Sequence, residues 1–191
     1  MTGRTHDLAA FTALSYIVAT QPMPKISLAT ALVALCANFI GGLAPDIDQP
    51  TADLWNRIPA GSIIGRILCP VLGGHRLMSH SFVGIAFFGI ILHYVLKVAS
   101  TVLLVDMNIV WWAFMIGFVS HLLMDMLTRD GVPWLFPLPF SFGIPPFRFM
   151  RIRTDSVFEH SVVFPLLLIA TGYIYYINYS HVLTFLRHLL K

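Results

Sequence analysis

The sequence predicts an all-α membrane protein, a helical bundle of about four or five transmembrane helices. Of its 191 residues 57% are hydrophobic and only 11% are charged, whereas soluble domains carry about 25% charged residues. Several apolar stretches approach the roughly 20 residues that cross a bilayer as a helix. Such a chain has too little polar surface to fold in water. We therefore expect a single integral membrane domain over residues 1–191.

Four apolar stretches are long enough to cross the bilayer. They cover residues 26–44, 82–105, 109–127 and 161–179. A fifth stretch, residues 8–20, is short for a complete crossing and is followed by Pro22 and Pro24, which end a helix. We count it as a fifth span, with a half-buried helix as the alternative. The last residues, 181–191, have the apolar and basic sides of a helix that lies in the membrane interface.

The connections between the spans indicate the orientation of the chain. Five crossings bring the N-terminus, both long connections (residues 45–81 and 128–160) and the start of the last span to one side. That side carries Arg4, Arg57, Arg66, Arg76, Arg129, Arg148, Arg151 and Arg153. Because basic residues mark the cytoplasmic side, we expect an inner-membrane protein with this side in the cytoplasm. The basic residues are thus explained by topology, and we expect no nucleic-acid partner.

Acidic and histidine residues gather near the ends of the apolar segments on this side. The sets are His6 with Asp7, Asp46 with Asp48, His75 with Arg76 and His80, His121 with Asp125, and Glu159 with His160. A charge at the bilayer centre costs about 2.5 to 3.5 kcal/mol or more, so ionisable residues in membrane segments are candidates for function. The sets therefore predict one polar site at the cytoplasmic end of the bundle.

Two of these sets have spacings that suit a divalent metal ion. His121 and Asp125 are four residues apart in a predicted helix and project from one face, so they can bind one ion or hydrogen-bond to each other. Asp46 and Asp48 lie on a turn at the end of a span, where two carboxylates repel each other unless a cation is close. A polar surface turn would have a similar sequence. We take both pairs as candidate metal ligands.

The other members of the sets have more open roles. His80 is a further candidate ligand, while His75 could be a ligand or could hold a neighbouring group. The planar guanidinium of Arg76 suits a phosphate or carboxylate. His6 is a candidate ligand only because the topology brings it to the same side. Glu159 could be a ligand or a general base, or an acid that the helix dipole stabilises.

Residues 147–153 nearly alternate apolar with basic side chains. This pattern favours a strand or hairpin at the level of the lipid headgroups. Its arginines could hold lipid phosphates near the site, or could simply reflect the charge of cytoplasmic loops.

The motifs taken together resemble the YdjM-type membrane-bound metal-dependent hydrolases. They are Thr5-His6, Pro45-Asp46-Ile47-Asp48-Gln49-Pro50, Gly74-His75-Arg76-Leu77-Met78-Ser79-His80-Ser81, Ser120-His121-Leu122-Leu123-Met124-Asp125 and Thr128 followed by Gly131-Val132-Pro133. The resemblance implies this family's membrane fold and a hydrolase activity. The chain departs from the family pattern at Gln49, Leu77 and Ser79, where His, Gly and Thr are frequent. None of these departures removes a proposed ligand.

The order of the ligands is also similar, more distantly, to that of the zinc-dependent phospholipase C and single-strand nuclease superfamily. That resemblance implies that Asp125 bridges two metal ions. Asp46 or Asp48, His80 and His121 would complete one metal, and His6 would help to hold the other. No counterpart of that superfamily's first-residue backbone ligand is expected in this chain.

We therefore predict a membrane-embedded hydrolase that uses one or two divalent ions, most simply Zn²⁺, to cleave a phosphoester of a lipid or lipid-linked substrate. Glu159 or His75 would transfer protons, and Arg76 would steady the phosphate. An ion-binding transporter and a structural metal-binding protein are the alternatives. A transport path should carry ionisable residues through the whole membrane depth, and only His93 and Lys97 lie toward the far half of a span.

Overall fold

The computed structural model describes residues 1–49, 55, 61, 63 and 78–190. Its continuous α-helices are α1 (Gly3–Thr20), α2 (Leu28–Leu43), α3 (Phe82–Ala99), α4 (Met107–Met126), α5 (Phe164–Ile177) and α6 (Tyr179–Leu189). Short 3₁₀ turns cover Ala44–Asp48 and Arg148–Met150, and a π-helical turn covers Glu159–Val163. The part of the chain that the structure describes contains no strand beyond isolated bridges. The predicted all-α class is confirmed.

Four helical segments are long and apolar enough to cross a membrane. They are Leu28–Asp48, Phe82–Ala99, Met107–Met126 and Glu159–Ile177. In the second and fourth segments, only 11% and 6% of the most apolar stretch is buried inside the protein. Large apolar side chains that are exposed on such helices fit contact with lipid. The four predicted spans are therefore confirmed.

The span predicted for residues 82–105 is shorter than expected, because its helix ends at Ala99. The hydroxyls of Ser100 and Thr101 donate hydrogen bonds to the carbonyls of Lys97 and Val98. These bonds satisfy carbonyl groups that the end of a helix leaves without an intrahelical partner. The chain then turns directly into α4, as expected for a hairpin.

Helix α1 is longer than the apolar stretch that predicted it, and it belongs to the bundle. Its 18 residues pack against α2, α4 and α5. The hydroxyls of Thr12 and Thr171 are 2.8 Å apart, as are those of Ser15 and Tyr175. These hydrogen bonds join α1 to α5 and satisfy polar groups that would be costly in contact with lipid.

Helices α2 and α4 make the most extensive contact in the bundle. A methyl group added at Gly41 would overlap the backbone of Phe114, and one at Gly117 would overlap the carbonyl of Asn38. The Asn38 side chain is fully buried and donates a hydrogen bond to the carbonyl of Ala113 at 2.9 Å. Small residues let membrane helices approach in this way, so the glycines fix the distance between the ends of α2 and α4.

The segment after α4 does not form the strand or hairpin predicted for residues 147–153. Instead it folds back over the end of α4 and curls into the 3₁₀ turn Arg148–Met150. The Arg151 guanidinium donates hydrogen bonds to the carbonyls of Pro145 and Pro146 at 2.7 and 3.0 Å. These bonds bend the chain over its own preceding residues, which an extended strand would not allow. The strand prediction was wrong.

Candidate metal centre

Three histidines and two aspartates meet at one end of the bundle. His6 comes from α1, Asp46 from the turn after α2, His80 from the turn before α3, and His121 and Asp125 from the end of α4. The Nε2 atom of His6 is 3.3 Å from Asp125 Oδ1. The Nε2 atom of His80 is 3.5 Å from Asp46 Oδ1 and 3.6 Å from Asp125 Oδ2. The Nε2 atom of His121 is 3.6 Å from Asp46 Oδ1 and 3.7 Å from Asp125 Oδ2. Five of the six predicted metal ligands therefore lie together.

The ligand atoms form two overlapping groups that could each hold a metal ion. One group is His6, Asp46 and His121, and the other is His80, His121 and Asp125; within each group the ligand atoms lie within 4.8 Å of one another. His121 belongs to both groups. Imidazole nitrogen and carboxylate oxygen suit Zn²⁺ and other divalent transition metals.

His121 is held as a metal-binding histidine usually is. Its Nδ1 atom is 2.7 Å from the carbonyl oxygen of Gly42. Because a carbonyl only accepts, Nδ1 must carry the hydrogen, which leaves the lone pair on Nε2. That Nε2 atom is buried and has no hydrogen-bond partner among the residues that the structure describes. Most metal-ligating histidines donate their other ring N–H to such an acceptor, so the residue fits a cation.

His6 lies against His121 in a fully buried environment. The two imidazole rings stack with their centroids 3.6 Å apart and their planes 11° from parallel. Neither ring nitrogen of His6 has a hydrogen-bond partner in the parts of the chain described here. Buried polar atoms are nearly always satisfied in proteins. A cation between His6 and the nearby carboxylates would satisfy its Nε2 atom.

A short chain of hydrogen bonds positions His80. The Ser79 hydroxyl donates to Asp48 Oδ2 at 2.6 Å, so its oxygen accepts from Nδ1 of His80 at 2.9 Å. Next in sequence, the Ser81 side chain caps α3 by accepting from the Gly84 amide. These contacts aim Nε2 of His80 at Asp46 and Asp125.

The charge on His80 depends on those carboxylates. Burial alone would lower its pKa, but Asp125 and Asp46 outweigh burial and hold the pKa of His80 above its usual range. The two carboxylates therefore favour the charged form of this imidazole, against the effect of burial.

The predicted ligand Asp48 belongs to neither group of converging atoms. It is fully buried and accepts the hydrogen bond from Ser79. Its assignment as a metal ligand stays a prediction, and its observed contact is with the serine that orients His80.

The five converging side chains differ in their exposure. The side chains of His6, His80, His121 and Asp125 are 0% exposed, whereas that of Asp46 is 21% exposed. A structural metal site is usually closed by protein ligands, while a catalytic site keeps a position open to water or substrate. Among these five residues, Asp46 is the one whose side chain is partly exposed.

The N-terminus lies in the centre, which the sequence did not indicate. The Met1 amino group is buried and 2.7 Å from Asp125 Oδ1. Glu159, also fully buried, accepts hydrogen bonds from the Thr2 amide at 2.7 Å and from the Thr2 hydroxyl at 3.0 Å. The expectation that this chain has no counterpart of a first-residue metal ligand stays a prediction, since the observed contact of the amino group is with a carboxylate.

Two predicted residues, His75 and Arg76, lie outside the residues that the structure describes. Ser79 was missed as a positioning group, although its place beside His80 was a usable signal. The Gly42 carbonyl could not have been found from the sequence, because backbone groups leave no residue-type signal.

Comparisons with known proteins agree with the fold. The family model described as "YdjM inner membrane protein" matches residues 1–185. The chain is 28% identical over 178 residues to "Uncharacterized protein YvsG" of Bacillus subtilis (strain 168), covering 92% of this chain and 95% of that protein. It is 34% identical over 111 residues to "Inner membrane protein YdjM" of Escherichia coli (strain K12), covering 54% of this chain and 48% of that protein. No solved structure matches, and the more distant resemblance to the phospholipase C superfamily is not confirmed.

Proposed function

We propose that this chain, which belongs to the YdjM inner membrane protein family, is a membrane-embedded metal-dependent hydrolase that cleaves a phosphoester bond in a lipid or lipid-linked substrate. One observation carries the proposal. Three imidazoles and two carboxylates from four separate segments converge at one end of the bundle, and only Asp46 is partly exposed. Buried groups of this kind are costly in a membrane protein unless they serve a site.

The two overlapping groups share His121, whose Nε2 lone pair can bind one ion at a time. That ion would be held by His121 with either His6 and Asp46 or His80 and Asp125, and a second ion would use the remaining histidine and carboxylate without His121. Zn²⁺ is the first candidate, with Mn²⁺ or Fe²⁺ as alternatives. A bound Zn²⁺ lowers the pKa of a coordinated water toward 7 and polarises a phosphoryl oxygen. The two carboxylates would offset part of the positive charge of the ions.

The side chains around the ligands would keep them ready for this chemistry. The Gly42 carbonyl orients His121, and Ser79 with Asp48 orients His80. Because these contacts are buried, the imidazoles need little rearrangement when an ion binds. Substrate would approach beside Asp46, the partly exposed member of the site.

A transporter would need a different distribution of ionisable residues. His93 and Lys97, the ionisable residues toward the far half of α3, are both exposed. They lie on the surface of the bundle, and the converging ligands lie at its other end. The one-sided arrangement supports hydrolysis over transport.

The first test is the metal content of the purified protein, measured by mass spectrometry in detergent for wild type, His121→Ala and a control, His188→Ala. We expect about one or two equivalents of metal in wild type and in the control, whose histidine is exposed on α6, and a loss in His121→Ala. Hydrolysis of phospholipids and a synthetic phosphodiester should follow the metal content. A folded wild type that takes up no supplied metal would end the proposal. Metal without hydrolysis would favour the transporter or structural alternatives.

Ser79→Ala is expected to lower the affinity for metal by about 10- to 100-fold, because it removes the group that orients His80. The number of ions bound at saturation should not change. Titration with a competing chelator measures the affinity. Ser120→Ala is the matched control, since that buried hydroxyl donates to the Gly117 carbonyl of its own helix. Equal affinities for Ser79→Ala and wild type would show that the hydrogen bond has no role in binding.

The role of Glu159 as a proton-transfer group stays a prediction, together with the roles of His75 and Arg76. If Glu159 transfers a proton, Glu159→Gln should reduce turnover by about 100-fold or more with the metal content unchanged. The measurement is turnover per bound metal. If the variant has normal turnover but a lower melting temperature, Glu159 has a structural role, through its hydrogen bonds with Thr2, and does not transfer a proton.

A further inference from the structure

We propose that residues 129–153, here called the interfacial loop, form a surface that binds anionic phospholipid headgroups beside the metal centre. This inference concerns how the protein sits in its membrane, and it does not depend on hydrolysis. The loop begins four residues after Asp125 and ends six residues before Glu159.

The interfacial loop exposes many large apolar side chains. They are Leu135, Leu138, Phe140, Phe142, Ile144, Phe147, Phe149 and Met150, with exposed fractions from 43% to 78%. The rings of Phe147 and Phe149 lie 5.9 Å apart and are 62% and 78% exposed. An apolar surface of this kind marks contact with a membrane or another protein.

The same surface carries basic groups. The interfacial loop contains four arginines and one acidic residue, Asp130. Arg151 is used inside the loop, where it bonds to proline carbonyls. Arg129, Arg148 and Arg153 are exposed, and the ion pair of Arg148 with Asp130 is 75% and 55% exposed. Phenylalanines alternating with exposed arginines suit a layer that is apolar on one side and phosphate-rich on the other.

The fold holds this surface at the end of two membrane helices. The Ile144 and Ile152 amides donate hydrogen bonds to the carbonyls of Met126 and Leu127, where α4 ends. The Phe82 amide, at the start of α3, donates to the Trp134 carbonyl, and the rings of these two residues are 4.8 Å apart. Since α3 and α4 are candidate membrane spans, the loop lies where the hydrocarbon meets the headgroups.

Position and charge together identify the partner. A soluble protein partner would have to compete with the lipid that surrounds these helix ends. Guanidinium groups bind phosphate oxygens in a bidentate manner, and a net positive surface favours anionic over zwitterionic lipids. We therefore assign the surface to anionic phospholipids.

Native mass spectrometry of the full chain tests this assignment, in micelles that contain equal amounts of phosphatidylglycerol and phosphatidylcholine. Wild type should retain phosphatidylglycerol in preference. In the variant Arg148→Gln/Arg153→Gln, the ratio of phosphatidylglycerol to phosphatidylcholine retained should fall roughly fivefold for each arginine removed. The control Lys25→Gln/Arg187→Gln removes two positive charges from exposed residues outside the interfacial loop, one after the C-terminal end of α1 and one in α6. It should retain the wild-type preference. An unchanged preference in the first variant, or an equal loss in the control, would overturn the proposal.

Two further measurements keep the test independent of the folding of one variant. In wild type the preference should fall as salt rises from low to high concentration, because screening weakens exposed ion pairs; a preference that does not respond to salt would contradict the assignment. Phe147→Ser/Phe149→Ser should reduce the number of both lipids retained. If inorganic phosphate at the same concentration displaces phosphatidylglycerol completely, the surface binds free phosphate and the lipid assignment is wrong.

Discussion

Asp125→Asn is expected to remove the bound metal and abolish hydrolysis while the protein stays folded. The Asp125 carboxylate lies within 3.3 to 3.7 Å of His6, His80 and His121, and asparagine keeps its size but not its charge. A carboxylate that binds metal directly should matter more than the groups that orient ligands, whose loss costs about 10- to 100-fold. Metal content and turnover, measured on the same preparation, test this expectation.

The control for this variant is Asp130→Asn, which changes an exposed aspartate of the same chain. It should keep both metal and activity. Normal metal content in Asp125→Asn would contradict the central role given to Asp125. Loss of metal in both variants would point to a general loss of structure, which a melting curve can detect.

Gly117→Ala should have the largest effect on stability among the substitutions considered. A methyl group at this position would overlap the backbone carbonyl of Asn38 in α2. Because a backbone group cannot turn aside as a side chain can, α2 and α4 would have to separate. Overpacking typically costs about 1 to 3 kcal/mol, and here the shift would also move Asp46 away from His121. Thermal unfolding in detergent and metal content measure the two effects.

Gly172→Ala is the matched control for Gly117→Ala. Gly172 also lies within a candidate membrane helix, but among the described residues beyond its own chain neighbours nothing lies within 4 Å of a methyl group added there. This change should leave the melting temperature the same or slightly higher, because alanine favours helix more than glycine does. Equal destabilisation by both substitutions would show that the close approach at Gly117 is not what matters.

Much of this fold could be predicted because hydrophobic length is a local property. The four spans follow from runs of about 20 apolar residues. The pairing of His121 with Asp125 follows from helical spacing alone. Counting the membrane crossings placed His6, Asp46 and His80 on the same side as that pair. It could not predict the distances between them.

The remaining features depend on tertiary contacts that no local pattern records. The Gly42 carbonyl reaches His121 only because the glycines let α2 approach α4 closely. The buried Met1 amino group depends on where α1 ends up in the bundle. The alternating residues 147–153 favoured a strand, but hydrogen bonds from Arg151 to the preceding prolines bend them instead.

The buried Asn38 of α2 has a consequence for how the protein is made. Its side-chain amide bonds to the Ala113 carbonyl of α4, 75 residues later in the chain. A ribosome delivers α2 to the membrane well before it delivers α4, so Asn38 must wait for its partner while the intervening residues are synthesised. Leaving a polar amide in hydrocarbon is costly. The newly made α2 should therefore stay beside the insertion machinery until α4 arrives, and the candidate ligands can come together only after that step.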